Sequence, residues 1–147
     1  MVPRLVIILL MILTIATGAS AQSNAPEPML PEFFKWFSPP NNPLLRGAWV
    51  IGAETEHATY ALRAVLAEGG KIPPHIHPDT RYSTVLKGNL YVGFGSSGDE
   101  SVMVVVPAGG IYIAPAHVPH YLWAKDEEVV YQEAGIGPTA TVPVAPQ

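Results

Sequence analysis

Sixteen prolines and thirteen glycines punctuate this chain, and beyond residue 21 they bracket nearly every apolar segment. Such spacing leaves no stretch that sustains an amphipathic helix and confines regular structure to short strands. Candidate strands fall at Tyr60 to Leu66, Ser83 to Leu86, Leu90 to Phe94, Val102 to Val106, Ile111 to Ile113, His120 to Trp123 and Glu128 to Gln132. Lys87-Gly88-Asn89 between two of them reads as a hairpin turn, with glycine where a positive φ is needed. Pro107-Ala108-Gly109-Gly110 stops the β-branched run before it. Many short strands at regular spacing predict an all-β sandwich or barrel.

The ends of the chain read differently. Met1 to Arg4 is a short positive start, Leu5 to Ile15 is almost unbroken apolar sequence, and Ala19-Ser20-Ala21 supplies small residues for a signal peptidase. Residues 1–21 are therefore expected to be a signal peptide, cleaved before Gln22, which makes the protein secreted or periplasmic. The apolar run is shorter than the roughly 20 residues a membrane span needs, so no membrane association is expected after cleavage. Residues 22–45 form a proline-rich arm whose Phe33, Phe34, Trp36 and Phe37 are expected to dock on the domain, since a solvated linker has no use for four aromatics. Residues 46–134 are the working domain, and 135–147 read as a frayed, flexible tail. The chain has no cysteine, so any metal ligands are nitrogen or oxygen. Lysine and arginine are scattered singly at a net charge of -4, which excludes nucleic acid as a partner.

Four of the five histidines fall in two windows, Gly70-Lys71-Ile72-Pro73-Pro74-His75-Ile76-His77 and Pro115-Ala116-His117-Val118-Pro119-His120. Histidines two apart on a strand point to the same face, and a third on another strand completes a facial set of imidazoles around one metal ion. The bland reading of such histidines is that they are packed or face solvent. His57 has no such frame and reads as a surface residue.

These windows carry a family resemblance. Gly70, His75, His77 and Gly88 resemble the first motif of the cupins, and Gly109, Pro115 and His120 the second. The resemblance implies a cupin double-stranded β-helix, or jelly-roll barrel, with His75, His77 and His120 as metal ligands. Imidazole suits iron, manganese, zinc, nickel and copper alike, so the cofactor is expected to be one divalent ion of unassigned identity. The spacing from Gly70 to His75 is one residue shorter than the usual pattern, and three positions depart from it, Ala124 standing where an asparagine is common. His117 replaces a glycine of the second motif and is a candidate proton carrier, against the plain reading of an exposed loop residue. Arg81 stands where most metal-binding cupins have a glutamate ligand. An arginine cannot ligate, and facing a divalent ion at roughly 5 Å it opposes binding by about 6 kcal/mol. Arg81 therefore either turns away, pairing with Asp79 or Glu133, or clamps an anionic substrate beside a three-histidine centre like that of thiol dioxygenases; loss of the metal is a third outcome.

The leading functional expectation is an exported enzyme, dioxygenase-like or a metal-dependent lyase or isomerase, acting on a small anionic molecule. Arg81 and His117 are its candidate catalytic residues, and Val85 and Leu122 its pocket walls. The alternative is a non-catalytic small-molecule-binding module, with or without metal. Cupins frequently pair through sheets and N-terminal segments, so the resemblance also implies a homodimer.

Overall fold

The structure, a computed structural model, describes residues 27–145. The expected signal peptide and the first residues of the arm lie outside the described residues.

Ten strands follow in order: β1 (Leu45–Ile51), β2 (Thr59–Leu66), β3 (Lys71–Ile76), β4 (Arg81–Lys87), β5 (Asn89–Phe94), β6 (Val104–Pro107), β7 (Ile111–Ala114), β8 (His120–Trp123), β9 (Val129–Ile136) and β10 (Val142–Pro143). They form two five-stranded sheets, β1-β2-β9-β4-β7 and β10-β3-β8-β5-β6, antiparallel throughout. Only β1-β2 and β5-β6 join strands adjacent in the chain; every other pairing crosses over. The two sheets close face to face as a jelly-roll barrel. Among the described residues no helix is long and apolar enough to cross a membrane.

Alternation positions the core. In β4 the side chains of Arg81, Ser83 and Val85 are buried while Tyr82 and Leu86 are exposed, and in β9 Val129, Tyr131 and Glu133 point inward. Leu66, Val85, Leu90, Leu122, Val129 and Tyr131 pack together in one apolar cluster. The interior also carries buried polar groups: His75, His77, Arg81, Ser83, His120, Glu133 and Thr139.

Two expectations need correction. Lys87-Gly88-Asn89 does not close a hairpin, because β4 and β5 lie in opposite sheets. It is a corner that carries the chain from one sheet to the other. Gly88 has φ +78°, and a Cβ there would sit 2.7 Å from the Glu128 carbonyl oxygen, so the corner packs directly on the loop before β9. A local turn signature marks the bend but not which strands it joins. Nor does the described part of the expected tail, residues 135–145, read as frayed. Gly137 N–H donates to the Ala58 carbonyl and Thr139 N–H to the Glu54 carbonyl, each at 2.8 Å, and β10 adds itself to the edge of β3. Proline and small residues read as disorder, yet here the segment finds an edge strand with free backbone groups to pair.

At the other terminus Phe37 makes an antiparallel bridge with Gly47 of β1. Gly47 is required there because the Phe37 ring occupies the space of a side chain. The guanidinium groups of Arg46 and Arg63 lie 5.2 Å and 5.5 Å from the rings of Trp36 and Phe34.

Candidate metal centre

His75 lies near the end of β3, His77 directly after it, and His120 opens β8, where it is the register partner of His75. The β3–β8 ladder is interrupted between Ile72 and His75, where Pro73 and Pro74 have no N–H to offer. That irregularity frees the Pro73 carbonyl, which accepts a hydrogen bond from Nδ1 of His75 at 2.8 Å. The other two rings are held alike: Nδ1 of His77 donates to the Ala140 carbonyl at 2.7 Å, and Nδ1 of His120 to the Val118 carbonyl at 3.2 Å.

A carbonyl oxygen only accepts, so each Nδ1 carries the proton. Burial pushes all three imidazoles down to about 4, so at neutral pH the rings are uncharged and each Nε2 presents a lone pair. The three rings offer ligand atoms within 4.8 Å of one another, and Nε2 of His77 and of His120 are buried without a hydrogen-bond partner. Neutral, oriented and orphaned lone pairs converging from two strands fit a divalent metal ion.

Arg81 points inward, 3% exposed, and its guanidinium is engaged within the protein except at Nε, which has no hydrogen-bond partner. Its Nη1 donates to Glu133 Oε2 at 2.5 Å, and its Nη2 to Thr139 Oγ1 at 2.8 Å and, more weakly, to the Ala140 carbonyl at 3.4 Å. Asp79 Oδ1 lies 4.0 Å from Nε. Burial alone would raise the Glu133 carboxyl, but the Arg81 guanidinium outweighs it and holds the group below the usual carboxylate range. The pairing with Glu133 resolves the electrostatic conflict seen in the sequence: the arginine charge beside the histidines is neutralised by a carboxylate from the neighbouring strand.

His117 does not join the histidine group. It is exposed, with φ +61°, and contributes its backbone N–H, which donates to the His77 carbonyl at 2.8 Å. His57 is exposed as well. Thr139 and Ala140, which complete the site, carry no signal in the sequence: a buried threonine and a backbone carbonyl have no recognisable spacing.

Beside the histidines opens a cavity of about 820 Å³. His75, His77, Arg81 and Glu133 line its polar part, while Leu62, Ala64, Ile72 and Tyr131 make an apolar wall. Phe37 and Pro39 of the arm and Thr141 and Pro143 of the C-terminal segment also line it. Val85 and Leu122, expected to wall this pocket, are instead buried in the apolar core at 0% and 1% exposure. The apolar wall is drawn from β3 beside the histidines and from β2 and β9, which the sequence leaves indistinguishable from other strands.

The sheet architecture agrees with known proteins. The chain is 30% identical over 112 residues to germin-like protein 3-1 of Oryza sativa subsp. japonica, covering 76% of this chain and 47% of that one. Germin-like protein subfamily T member 2 of Arabidopsis thaliana is 34% identical over 58 residues, covering 39% of this chain and 26% of that one. The chain thus spans less than half the length of these curated relatives. The polyketide cyclase RemF from Streptomyces resistomycificus shares the fold at a TM-score of 0.69 and 14% identity, over 84% of this chain and 88% of that one. The DMSP lyase DddQ from Ruegeria pomeroyi does so at 0.64 and 18%, over 79% and 64%. The sequence profile of the cupin family matches residues 51–146, which is most of the barrel together with the C-terminal segment, and the chain belongs to that family.

Proposed function

We propose that this protein is an exported, metal-dependent cupin enzyme that holds one divalent ion through His75, His77 and His120 and acts on a small organic molecule in the adjoining cavity. The observation that carries the reading is the tethering of all three Nδ1 atoms to backbone carbonyls, which aims buried lone pairs at one point. Export rests on the leader-like residues 1–21.

A bound ion supplies a Lewis acid, or a site for redox chemistry if it is iron or copper. The chain's own residues do the rest. Leu62, Ala64, Ile72 and Tyr131 exclude water from one side of the substrate. Glu133, ionised by its partner, offers a carboxylate at the cavity surface that accepts a hydrogen bond from a substrate hydroxyl or amide. Arg81 is paired to Glu133, and Lys71, in a half-exposed pair with Glu100, is the other cation lining the cavity. The lining suits a small organic molecule with an apolar or aromatic body against Leu62, Ala64, Ile72 and Tyr131 and polar groups toward the histidines. The enzymes among the structural neighbours, a cyclase and a lyase, show that the fold supports more than one reaction, so the reaction class rests on the site.

The alternative, a non-catalytic binding module without metal, draws its support from Arg81 at the position where the family places a carboxylate ligand. Elemental analysis of protein purified without chelator, beside the His75→Ala/His77→Ala double variant, separates the two. About one metal per chain in the wild type and none in the variant is expected. Absence of metal from both refutes the enzyme reading and leaves the binding module.

A further inference from the structure

The three histidines are not held in the same way. His75 and His120 take their carbonyl partners from two residues upstream, Pro73 and Val118, so the adjoining stretch of chain orients each ring. The carbonyl that orients His77 belongs to Ala140, 63 residues further along the chain. Whatever fixes residue 140 therefore fixes a metal ligand.

Several contacts fix it. Thr139 Oγ1 accepts from Arg81 Nη2 at 2.8 Å and donates to Asp79 Oδ1 at 2.5 Å, so its hydroxyl is engaged in both roles while the residue is 6% exposed. Arg81 Nη2 also reaches the Ala140 carbonyl itself. On one side Thr139 N–H is bound to the Glu54 carbonyl; on the other, Val142 and Pro143 pair with Ile76 and His75, and Val144 N–H donates to the Pro74 carbonyl at 2.9 Å. Thr141 and Pro143 of the same stretch line the cavity.

We propose that the C-terminal segment 137–145 is a working part of the metal centre, in which Thr139 and Arg81 are positioning residues that hold the Ala140 carbonyl against Nδ1 of His77. This deepens the three-histidine reading and rests on it. Arg81 then has a role that needs neither ligation nor substrate binding: it is long enough to reach Glu133, Thr139 and Ala140 together, which a glutamate in its place, having no donor once ionised, does not do. The segment ties ligand geometry to the cavity lining, so ordering one orders the other.

The test is cobalt(II) titration of chelator-stripped protein, read by affinity and by the visible spectrum of the bound ion, with thermal melting of each metal-free form. Thr139→Val keeps the shape and removes the hydroxyl; outer hydrogen bonds to ligating histidines change metal affinity by about 10–100-fold, and a loss in that range with an altered spectrum is expected. Thr139→Ser, which keeps the hydroxyl, restores both. Thr139→Val with wild-type affinity and spectrum overturns the proposal and leaves the three-histidine centre standing; a wild type that takes up no cobalt overturns the centre itself. A second measurement needs no variant. Linkage requires that metal loading order what orders the ligand, so amide hydrogen exchange across residues 139–144 slows in the cobalt-loaded protein. Slowing at 75–77 and 118–120 with none at 139–144 overturns the proposal.

Discussion

Glutamine in place of Glu133 keeps the shape of the side chain and removes its charge. The consequence follows from burial: Arg81 is 3% exposed and Glu133 4%, with Nη1 and Oε2 2.5 Å apart. Removing one member of a buried pair leaves an uncompensated charge and costs about 3–5 kcal/mol. Asp79, 4.0 Å from Nε, and the Thr139 and Ala140 oxygens offset part of this, which places Glu133→Gln near about 3 kcal/mol, roughly two decades in the folding constant. Replacing both partners, Arg81→Met with Glu133→Leu, removes both charges, and buried pairs exchanged for apolar residues are often neutral in stability. With each single change costing about 3 kcal/mol and the double change near neutral, the two are therefore expected to couple by roughly 6 kcal/mol in a double-mutant cycle. Urea unfolding of the metal-stripped proteins at pH 7, followed by tryptophan fluorescence, measures it. Single variants that each cost under about 1 kcal/mol and add linearly refute the pairing as the reason a buried arginine is tolerated here.

The three imidazoles make the metal-free protein acid-sensitive. Their folded values of about 4 lie below the ordinary 6.5, so the stability they contribute is complete above pH 6.5 and is lost as pH falls toward 4. The loss is on the order of 3 kcal/mol per ring, and a melting temperature that stays flat over that window contradicts the burial argument. His117→Asn is expected to leave metal content unchanged, because only the backbone N–H of that residue touches the site and asparagine tolerates the positive φ; elemental analysis checks it. Gly88→Ala and Gly109→Ala both force a side chain to positive φ, but only Gly88 also meets a backbone oxygen, at 2.7 Å. Gly109→Ala should cost about 1–2 kcal/mol and Gly88→Ala about 1–3 kcal/mol more; equal unfolding midpoints contradict the corner packing.

The parts of this protein that were legible in its sequence are those written in local spacing. His75 and His77 share a face because strands alternate, and glycine and proline mark strand ends because they alone suit or break the backbone there. What depended on tertiary partners stayed hidden. The Lys87-Gly88-Asn89 bend looks the same whether it joins neighbours in one sheet or carries the chain to the other. Arg81 presents an ambiguity that only the position of Glu133, 52 residues away, removes. Residues 137–145 lack the alternating pattern of a strand because β10 is only two residues long and both are exposed; backbone pairing with β3, not side-chain burial, holds them.

Arg81→Glu makes that dependence measurable. Judged from the motif alone, the change restores the carboxylate usual in metal-binding cupins and should improve the site. In the folded chain it sets a second carboxylate against Glu133 in a buried space, with Asp79 close by, and withdraws the donors from Thr139 and Ala140. Like charges buried together force one carboxyl to take up a proton, and the loss of the cation costs about 3–5 kcal/mol. The metal-free variant is therefore expected to be much less stable than wild type and to regain stability only when loaded, because a divalent ion supplies the positive charge that the arginine no longer does. Unfolding curves with and without cobalt(II) separate the two views. A metal-free variant as stable as wild type would mean that Arg81 is a tolerated substitution in the motif, and not the residue on which the carboxylate of β9, the C-terminal segment and the orientation of His77 all depend.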